Sequence, residues 1–180
     1  MADQLNNPAV ARSGLAVWLG LMVFCIGGCT EVPEPAQSDD GTSRRAGVSY
    51  QEIEIAGQRF DLELAVNPGQ RYLGLSGRQS IADDGGMLFV FPRVSVREFV
   101  MRDCVIPIDI IFVDDAGKVV AIHAMQVEPL ETRSNPTRRY SSVEPVRFAI
   151  ELRGGRIAEL GVSIGDQIEL PTASLKARAR

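Results

Sequence analysis

Apolar and polar residues alternate with a period of two in the segment 53–66. Ile53 and Ile55 are separated by a polar residue, and a second alternating run extends over residues 60–66. The short segment 56–58, Ala-Gly-Gln, separates the two runs. Two amphipathic strands joined by a short turn predict an antiparallel β-hairpin with one buried face and one solvated face.

A denser apolar region follows, and it begins with five consecutive apolar residues at positions 87–91. An unbroken apolar run of this length predicts a strand that is covered on both faces. Pro92 comes directly after the run. Because proline has no N–H to donate to a neighbouring strand, we expect the strand to end there.

The next apolar run, at residues 105–113, contains a single charged residue, Asp109. The segment 114–117, Asp-Asp-Ala-Gly, predicts a turn, and residues 118–125 predict the returning strand of a hairpin. A buried carboxylate is costly unless it is paired or hydrogen-bonded. Asp109 therefore needs a partner. The candidate partners are Arg71, Arg78, Arg97 and Arg102.

Two short helices are predicted. Asn67 is a good N-cap, Pro68 suits the first helical turn, and Gln70 completes a capping box, so a helix begins here and is expected to end at Gly77. The second helix follows Gly155 and ends near residue 160.

Further strands are predicted at residues 146–152 and 167–170. Strands then outnumber helices, and the order of elements excludes regular βαβ alternation. The sequence predicts an α+β fold with a mostly antiparallel sheet and two short helices, and a partly closed barrel is one arrangement that the pattern allows.

The N-terminal region predicts a secretion signal. Its apolar run at residues 15–26 is short for a permanent transmembrane helix and suits the core of a signal peptide. Gly27 and Gly28 precede Cys29, and this pattern resembles the bacterial lipobox. The resemblance implies cleavage before Cys29, lipid attachment to its thiol, and a place in the cell envelope, on the outer membrane or its periplasmic face in a Gram-negative cell. An uncleaved anchor and an ordinary secretory signal are the alternatives.

The domain boundaries follow from composition. Residues 1–28 are the predicted signal peptide, and residues 29–47 combine the lipidated cysteine with a tether rich in Pro, Ser, Asp and Gly. Residues 48–171 form the predicted globular domain. The basic segment 172–180 is expected to be a disordered tail. The formal net charge of -4 argues against a nucleic-acid partner.

The candidate chemistry lies in charged residues at helix ends and within apolar strands. These residues would form a ligand-binding pocket or, alternatively, an internal ion-pair network. They are Arg71, Arg78, Arg102, Asp103 and Asp109. The segment 128–143 predicts a long surface loop with a local basic patch that includes Arg138 and Arg139.

Catalytic and metal-binding motifs are weak. Cys104 is the one cysteine left after processing, and it is expected to be a small core residue, with a reactive pair with His123 as the alternative. Asp83 and Asp84 precede glycines, but their spacing is that of a turn and not of a calcium loop. We expect no metal and no cofactor.

Several motifs of the domain resemble domain of unknown function family 192. The resemblance extends from about residue 53 to residue 170. The motifs are Arg71-x-x-Gly74-Leu75, Arg78, Gly86-Met87-Leu88-Phe89-Val90-Phe91, Phe99-x-Met101-Arg102 and the run from Ile106 to Asp114. The resemblance implies a secreted or membrane-anchored protein, and it carries no established activity.

This chain departs from the family pattern at a few positions. The family usually has Trp where Val100 stands, Asn where Asp103 stands and Thr where Cys104 stands. It often has a cysteine pair in the loop that is here residues 128–143, and this chain has none there. A site that needs that indole or that amide is therefore not expected here.

Three functions are compatible with these observations. The first is a non-catalytic, lipid-anchored module that binds a small molecule, a glycan or another envelope protein. The second is an envelope hydrolase with Asp103 and Asp109 as an acid–base pair. The third is a structural subunit of an envelope complex.

Overall fold

The computed structural model describes residues 44–180, so the predicted signal peptide, Cys29 and most of the tether lie outside the described residues. Eight strands and three helices make up this part of the chain. The strands are β1 (Tyr50–Ile55), β2 (Gln58–Ala65), β3 (Gly85–Ser95), β4 (Glu98–Phe99), β5 (Ile108–Val113), β6 (Val119–Met125), β7 (Tyr140–Ser141) and β8 (Val146–Arg153). The helices are α1 (Pro68–Leu73), α2 (Arg156–Leu160) and α3 (Thr172–Arg178).

Six strands form one sheet in the order β1-β2-β3-β8-β5-β6, and β4 pairs with β7 in a separate ribbon. All neighbours in the large sheet are antiparallel except β2 and β3, which are parallel. The predicted α+β class with a mostly antiparallel sheet is confirmed. The barrel is wrong, because β1 and β6 are the two edges of an open sheet, and the helices number three within residues 44–180.

The two predicted hairpins are present. β1 pairs with β2 from Tyr50↔Glu63 to Ile55↔Gln58. β5 pairs with β6 from Ile108↔Met125 to Val113↔Val119. The predicted end of β3 at Pro92 is wrong, because the strand continues to Ser95. Pro92 is exposed, and it lies where the ladder to β8 shifts register between Val90 and Ser95, so the missing N–H is not needed.

Two further predictions about the C-terminal region are wrong. Residues 167–170 form only an isolated bridge, Lys118↔Gln167, and no strand. The expected disordered tail at 172–180 is instead α3, because Leu175 is fully buried in the core and the N–H of Arg180 donates to the Val66 carbonyl at 2.8 Å.

The sheet has a separate hydrophobic layer on each face. One layer includes Leu152 of β8, Ile157 of α2 and Leu175 of α3. The other includes Phe89 of β3 and Met101, and loops and the β4–β7 ribbon cover it. Within residues 44–180, helices that are long and apolar enough to cross a membrane are absent.

Candidate functional site

A cavity of about 390 Å³ lies on the sheet face opposite α2 and α3. Its floor is formed by side chains of the central strands β3 and β8, namely Phe89, Phe91 and Glu151. Its walls come from the connection between β2 and β3 at residues 71–76 and from the segment 96–102 around β4. The segments that connect the central strands, including the end of α1 and the short strand β4, therefore form the walls. The sheet forms the floor.

Glu151 is the unusual group of this floor. It lies in β8 between two sheet neighbours, Met87 of β3 and Ile110 of β5, and is only 5% exposed. Its Oε2 atom has no hydrogen-bond partner. Burial raises the pKa of the Glu151 carboxyl to about 8, so the group is mostly a neutral acid at pH 7. A neutral carboxyl can donate a hydrogen bond to a molecule in the cavity.

The end of α1 lies directly over this carboxyl. Asn67 and Gln70 form the capping box that starts the helix, as predicted, but α1 ends at Leu73 and not at Gly77. Gly74 then has a φ of 52°, a conformation that glycine adopts at low cost. A Cβ atom at Gly74 would lie 3.5 Å from the Phe89 ring and 3.9 Å from Oε2 of Glu151. Both distances are ordinary van der Waals contacts, so the positive φ, and not a lack of space, favours glycine at this position.

Two arginines lie on the ring of Phe91. The Cζ atom of Arg97 is 4.1 Å from the ring centroid, and that of Arg71 is 5.5 Å from it. Arg71 donates to the carbonyl of Val90 at 3.0 Å and to the main-chain oxygen of Arg180, the last residue of the sequence, at 2.7 Å. Arg97 donates to the carbonyl of Arg93 at 2.6 Å, and its buried Nε has no partner.

Burial lowers the pKa of both guanidinium groups, and the positive charge of Arg71 lowers the pKa of Arg97 further. Two more arginines line the cavity. Arg102 lies over the Tyr72 ring at 4.5 Å, and Arg139 precedes β7.

In the part of the chain that the structure describes, these four arginines form no ion pair with an Asp or Glu side chain. The acidic residues of the lining are the exposed Glu98 and the mostly neutral Glu151. The cavity is therefore positively charged on a chain of net charge -4.

An aromatic cluster fixes the wall that carries Arg97. Phe99 of β4 makes edge-to-face contacts with Phe89 at 4.9 Å and with Phe112 at 5.5 Å. It is also paired across the ribbon with Tyr140 of β7. Aromatic pairs in this geometry add to the stabilisation from burial, so the wall is well supported.

The five predicted site residues lie in four different places. Arg71 and Arg102 line the cavity, as described. Arg78 instead makes a two-oxygen salt bridge with Glu63, at 2.8 and 2.7 Å, beside a second cavity of about 220 Å³. Asp103 is exposed in a turn with a φ of 52°, where its carboxylate accepts a hydrogen bond from the Ser134 hydroxyl at 2.8 Å.

Asp109 has a structural role on the other face of the sheet. It is 2% exposed, and its Oδ2 accepts a hydrogen bond at 2.8 Å from the backbone N–H of Ile157, in the first turn of α2. The expectation of a partner is met, but the partner is this backbone N–H and none of the four candidate arginines. Asp103 and Asp109 therefore do not come together as an acid–base pair.

Cys104 and His123 also occupy separate environments. Cys104 is 5% exposed, and burial, together with the nearby charges of Glu151 and Asp103, raises its pKa to about 12. His123 is hydrogen-bonded to the Ser141 carbonyl at 2.8 Å and makes an edge-to-face contact with Phe112 at 5.9 Å. A thiol with this pKa is a poor nucleophile at neutral pH.

Among residues 44–180, groups of three or more His, Cys, Asp or Glu that could hold a metal ion are absent. Reasoning from the sequence missed Glu151 as a site residue, considered Arg97 only as a possible partner of Asp109, and noted Arg139 only as part of a loop patch. The signal was available for Glu151. It is the sole charged residue in the segment 148–152, as Asp109 is in its own strand.

Comparison with known proteins places the chain in a family. The profile of DUF192, a family described as "Uncharacterized ACR", matches residues 51–170. Curated proteins give no match.

Two solved structures resemble this one. A Sinorhizobium meliloti 1021 protein, provisionally described as a transcription regulator, is 35% identical, with a TM-score of 0.57 over 68% of this chain and 95% of that chain. A Novosphingobium aromaticivorans DSM 12444 protein of unknown function is 28% identical, with a TM-score of 0.57 over 68% of this chain and 85% of that one. The chain belongs to the domain of unknown function family 192.

Proposed function

We propose that this protein is a non-catalytic binding module that holds a small molecule in the Glu151 cavity. The observation that carries the proposal is a carboxyl 5% exposed with an unpartnered oxygen, facing a cavity whose arginines form no ion pairs with Asp or Glu among residues 44–180. Buried polar groups without partners are rare in folded proteins, and at a cavity they point to a ligand that satisfies them. A cavity of about 390 Å³ suits a small molecule better than a glycan chain or a protein surface.

A hydrolase is less well supported. Its predicted carboxylates, Asp103 and Asp109, face different environments, and the Cys104 thiol stays protonated at neutral pH because its pKa is about 12. Binding without chemistry needs only the donors and apolar surfaces that line the cavity.

The proposal is tested by ligand-observed NMR with a library of small molecules and the purified full chain. Compounds that bind the wild type should lose at least tenfold in affinity with Arg97→Ala. They should bind Arg93→Ala normally, because Arg93 is exposed, lies outside the cavity and contacts Arg97 only through its backbone carbonyl. A library without binders, or binders indifferent to Arg97→Ala, would contradict a ligand site here.

The second part of the proposal is that a lipid on Cys29 holds the domain at the cell envelope. It is supported by the resemblance of the sequence before Cys29 to a lipobox and by the polar composition of the following tether. Intact-mass measurement of the cell-derived protein should find a chain that begins at Cys29 and carries acyl groups. Cys29→Ser should remain unacylated, and a wild-type mass equal to the unmodified full chain would refute the anchor.

A further inference from the structure

The cavity combines cations, a neutral acid and aromatic rings, and together these define a class of ligand. We propose that the ligand is a small carboxylate with a flat apolar body, held with its carboxylate among Arg71, Arg97 and Glu151 and its body against the phenylalanines. The inference rests on the proposed function and names its substrate class.

The cationic side chains of the cavity favour an anionic ligand. Arg71 and Arg97 are both partly desolvated, and among the described residues neither is paired with an Asp or Glu, although Arg71 donates to the main-chain oxygen of Arg180 at 2.7 Å. Removing a cation from water is costly unless an anion or a good acceptor compensates for the lost hydration. The buried Nε of Arg97 is a free donor as well. An anion in the cavity would supply both the charge and the acceptor.

The positions of the two cations favour one shared anion. Both guanidinium groups lie on the ring of Phe91, at 4.1 and 5.5 Å from its centroid, and they are close enough for the charge of Arg71 to lower the pKa of Arg97. A carboxylate has two oxygens that can accept from two guanidinium groups at once.

The protonation state of Glu151 decides whether the cavity favours an anionic or a cationic ligand. An ionised carboxylate would attract an ammonium group and repel a ligand carboxylate, whereas a neutral acid donates a hydrogen bond to the ligand's oxygen. The other acidic or acid-forming groups that line the cavity are the exposed Glu98, the phenol of Tyr72 and the thiol of Cys104. The thiol stays protonated well above neutral pH because its pKa is about 12.

The apolar part of the ligand follows from the cavity floor. Phe89 and Phe91 form it, and Phe99 stands edge-on to both at 4.9 and 6.3 Å. Such surfaces favour flat rings in offset or edge-to-face contact. The cavity thus selects for a planar body attached to one acid group.

The experiment is isothermal titration calorimetry of the full chain with four probes at pH 7. The probes are naphthalene-2-carboxylate, its neutral carboxamide, the cationic 2-naphthylmethylamine and inorganic phosphate. We expect the carboxylate to bind at least tenfold more tightly than each of the others. Arg97→Ala should weaken carboxylate binding by tenfold or more, and Arg93→Ala should leave it unchanged.

A second measurement follows the role of Glu151. Between pH 7 and pH 9 the affinity of the wild type for the carboxylate should fall by about tenfold, because the neutral form of a group with a pKa of about 8 is lost over that range. Glu151→Gln should bind the carboxylate without this dependence on pH. Thermal melting of each variant first establishes that it is folded.

Each other outcome overturns the inference. Tighter binding of the amine or the amide would show that the cavity selects another charge, and equal binding of phosphate would show that the apolar body does not matter. If none of the four probes binds, this ligand class is wrong, and the library screen decides separately whether the cavity binds any small molecule.

Discussion

Replacing Glu151 by Gln removes a titratable carboxyl from the cavity floor and leaves its shape and hydrogen-bonding atoms nearly unchanged. In the folded protein burial raises the pKa of this group from 4.5 to about 8. Below pH 4.5 both folded and unfolded chains hold the proton. Between pH 4.5 and pH 8 the unfolded chain has lost it and the folded chain keeps it, so the free energy of unfolding falls as the pH rises.

The size of the effect follows from that shift. Each pKa unit corresponds to about 1.4 kcal/mol, so Glu151 costs the wild type roughly 5 kcal/mol of stability between pH 4.5 and pH 8, and no more above that. Gln is neutral in both states and does not contribute this term. Glu151→Gln should therefore gain stability relative to the wild type as the pH rises, and the gain should level off near pH 8.

Urea unfolding followed by circular dichroism, at pH values from 4.5 to 9, measures the difference directly. Glu98→Gln is the matched control, since Glu98 lines the same cavity but is exposed, and its variant should show no comparable gain. The reasoning is refuted if the difference between the wild type and Glu151→Gln stays flat across this pH range.

Three further predictions concern the support of the fold. In urea unfolding, Asp109→Ala should lower the free energy of unfolding by about 1–3 kcal/mol, because the buried N–H of Ile157 loses its acceptor. Asp109→Asn should lower it less, and equal losses for the two variants would contradict this role. Leu175→Ala should lower the free energy of unfolding by about 2–5 kcal/mol, whereas Ser174→Ala, at an exposed position on the same helix, should lower it little. If Leu175→Ala leaves the free energy of unfolding unchanged, α3 does not pack on the sheet. Peptide mass spectrometry after iodoacetamide treatment at pH 7.5 should find Cys104 unmodified in the folded protein and alkylated in urea, and rapid labelling without denaturant would refute its burial and raised pKa.

The hairpins were predictable because their signals are local. Alternation at residues 53–66 and the turn at residues 114–117 lie within a few residues of the pairings that they specify. The position of β8 between β3 and β5 has no such signal, because these pairings join strands that are far apart in the sequence. An open sheet and a partly closed barrel therefore look alike in the hydrophobic pattern.

The site was predictable only in part, for a related reason. Arg71 and Arg102 stood out as charges near apolar segments, and both line the cavity. Asp109 was correctly expected to need a partner. Its partner is a backbone N–H, and because almost every residue has one, the sequence does not identify it as it would identify a charged side chain. Arg97 becomes notable only when its missing partner is known, and that requires the three-dimensional structure.

The parallel pairing of β2 and β3 has a consequence for how such a domain could diversify. Parallel neighbours cannot be joined by a tight turn, so the chain between them, residues 66–84, must travel across the sheet. Here that detour supplies one cavity wall, including Arg71 and Gly74. Replacing this connection would give the cavity a new ligand selectivity and leave the hydrogen bonds between the strands unchanged.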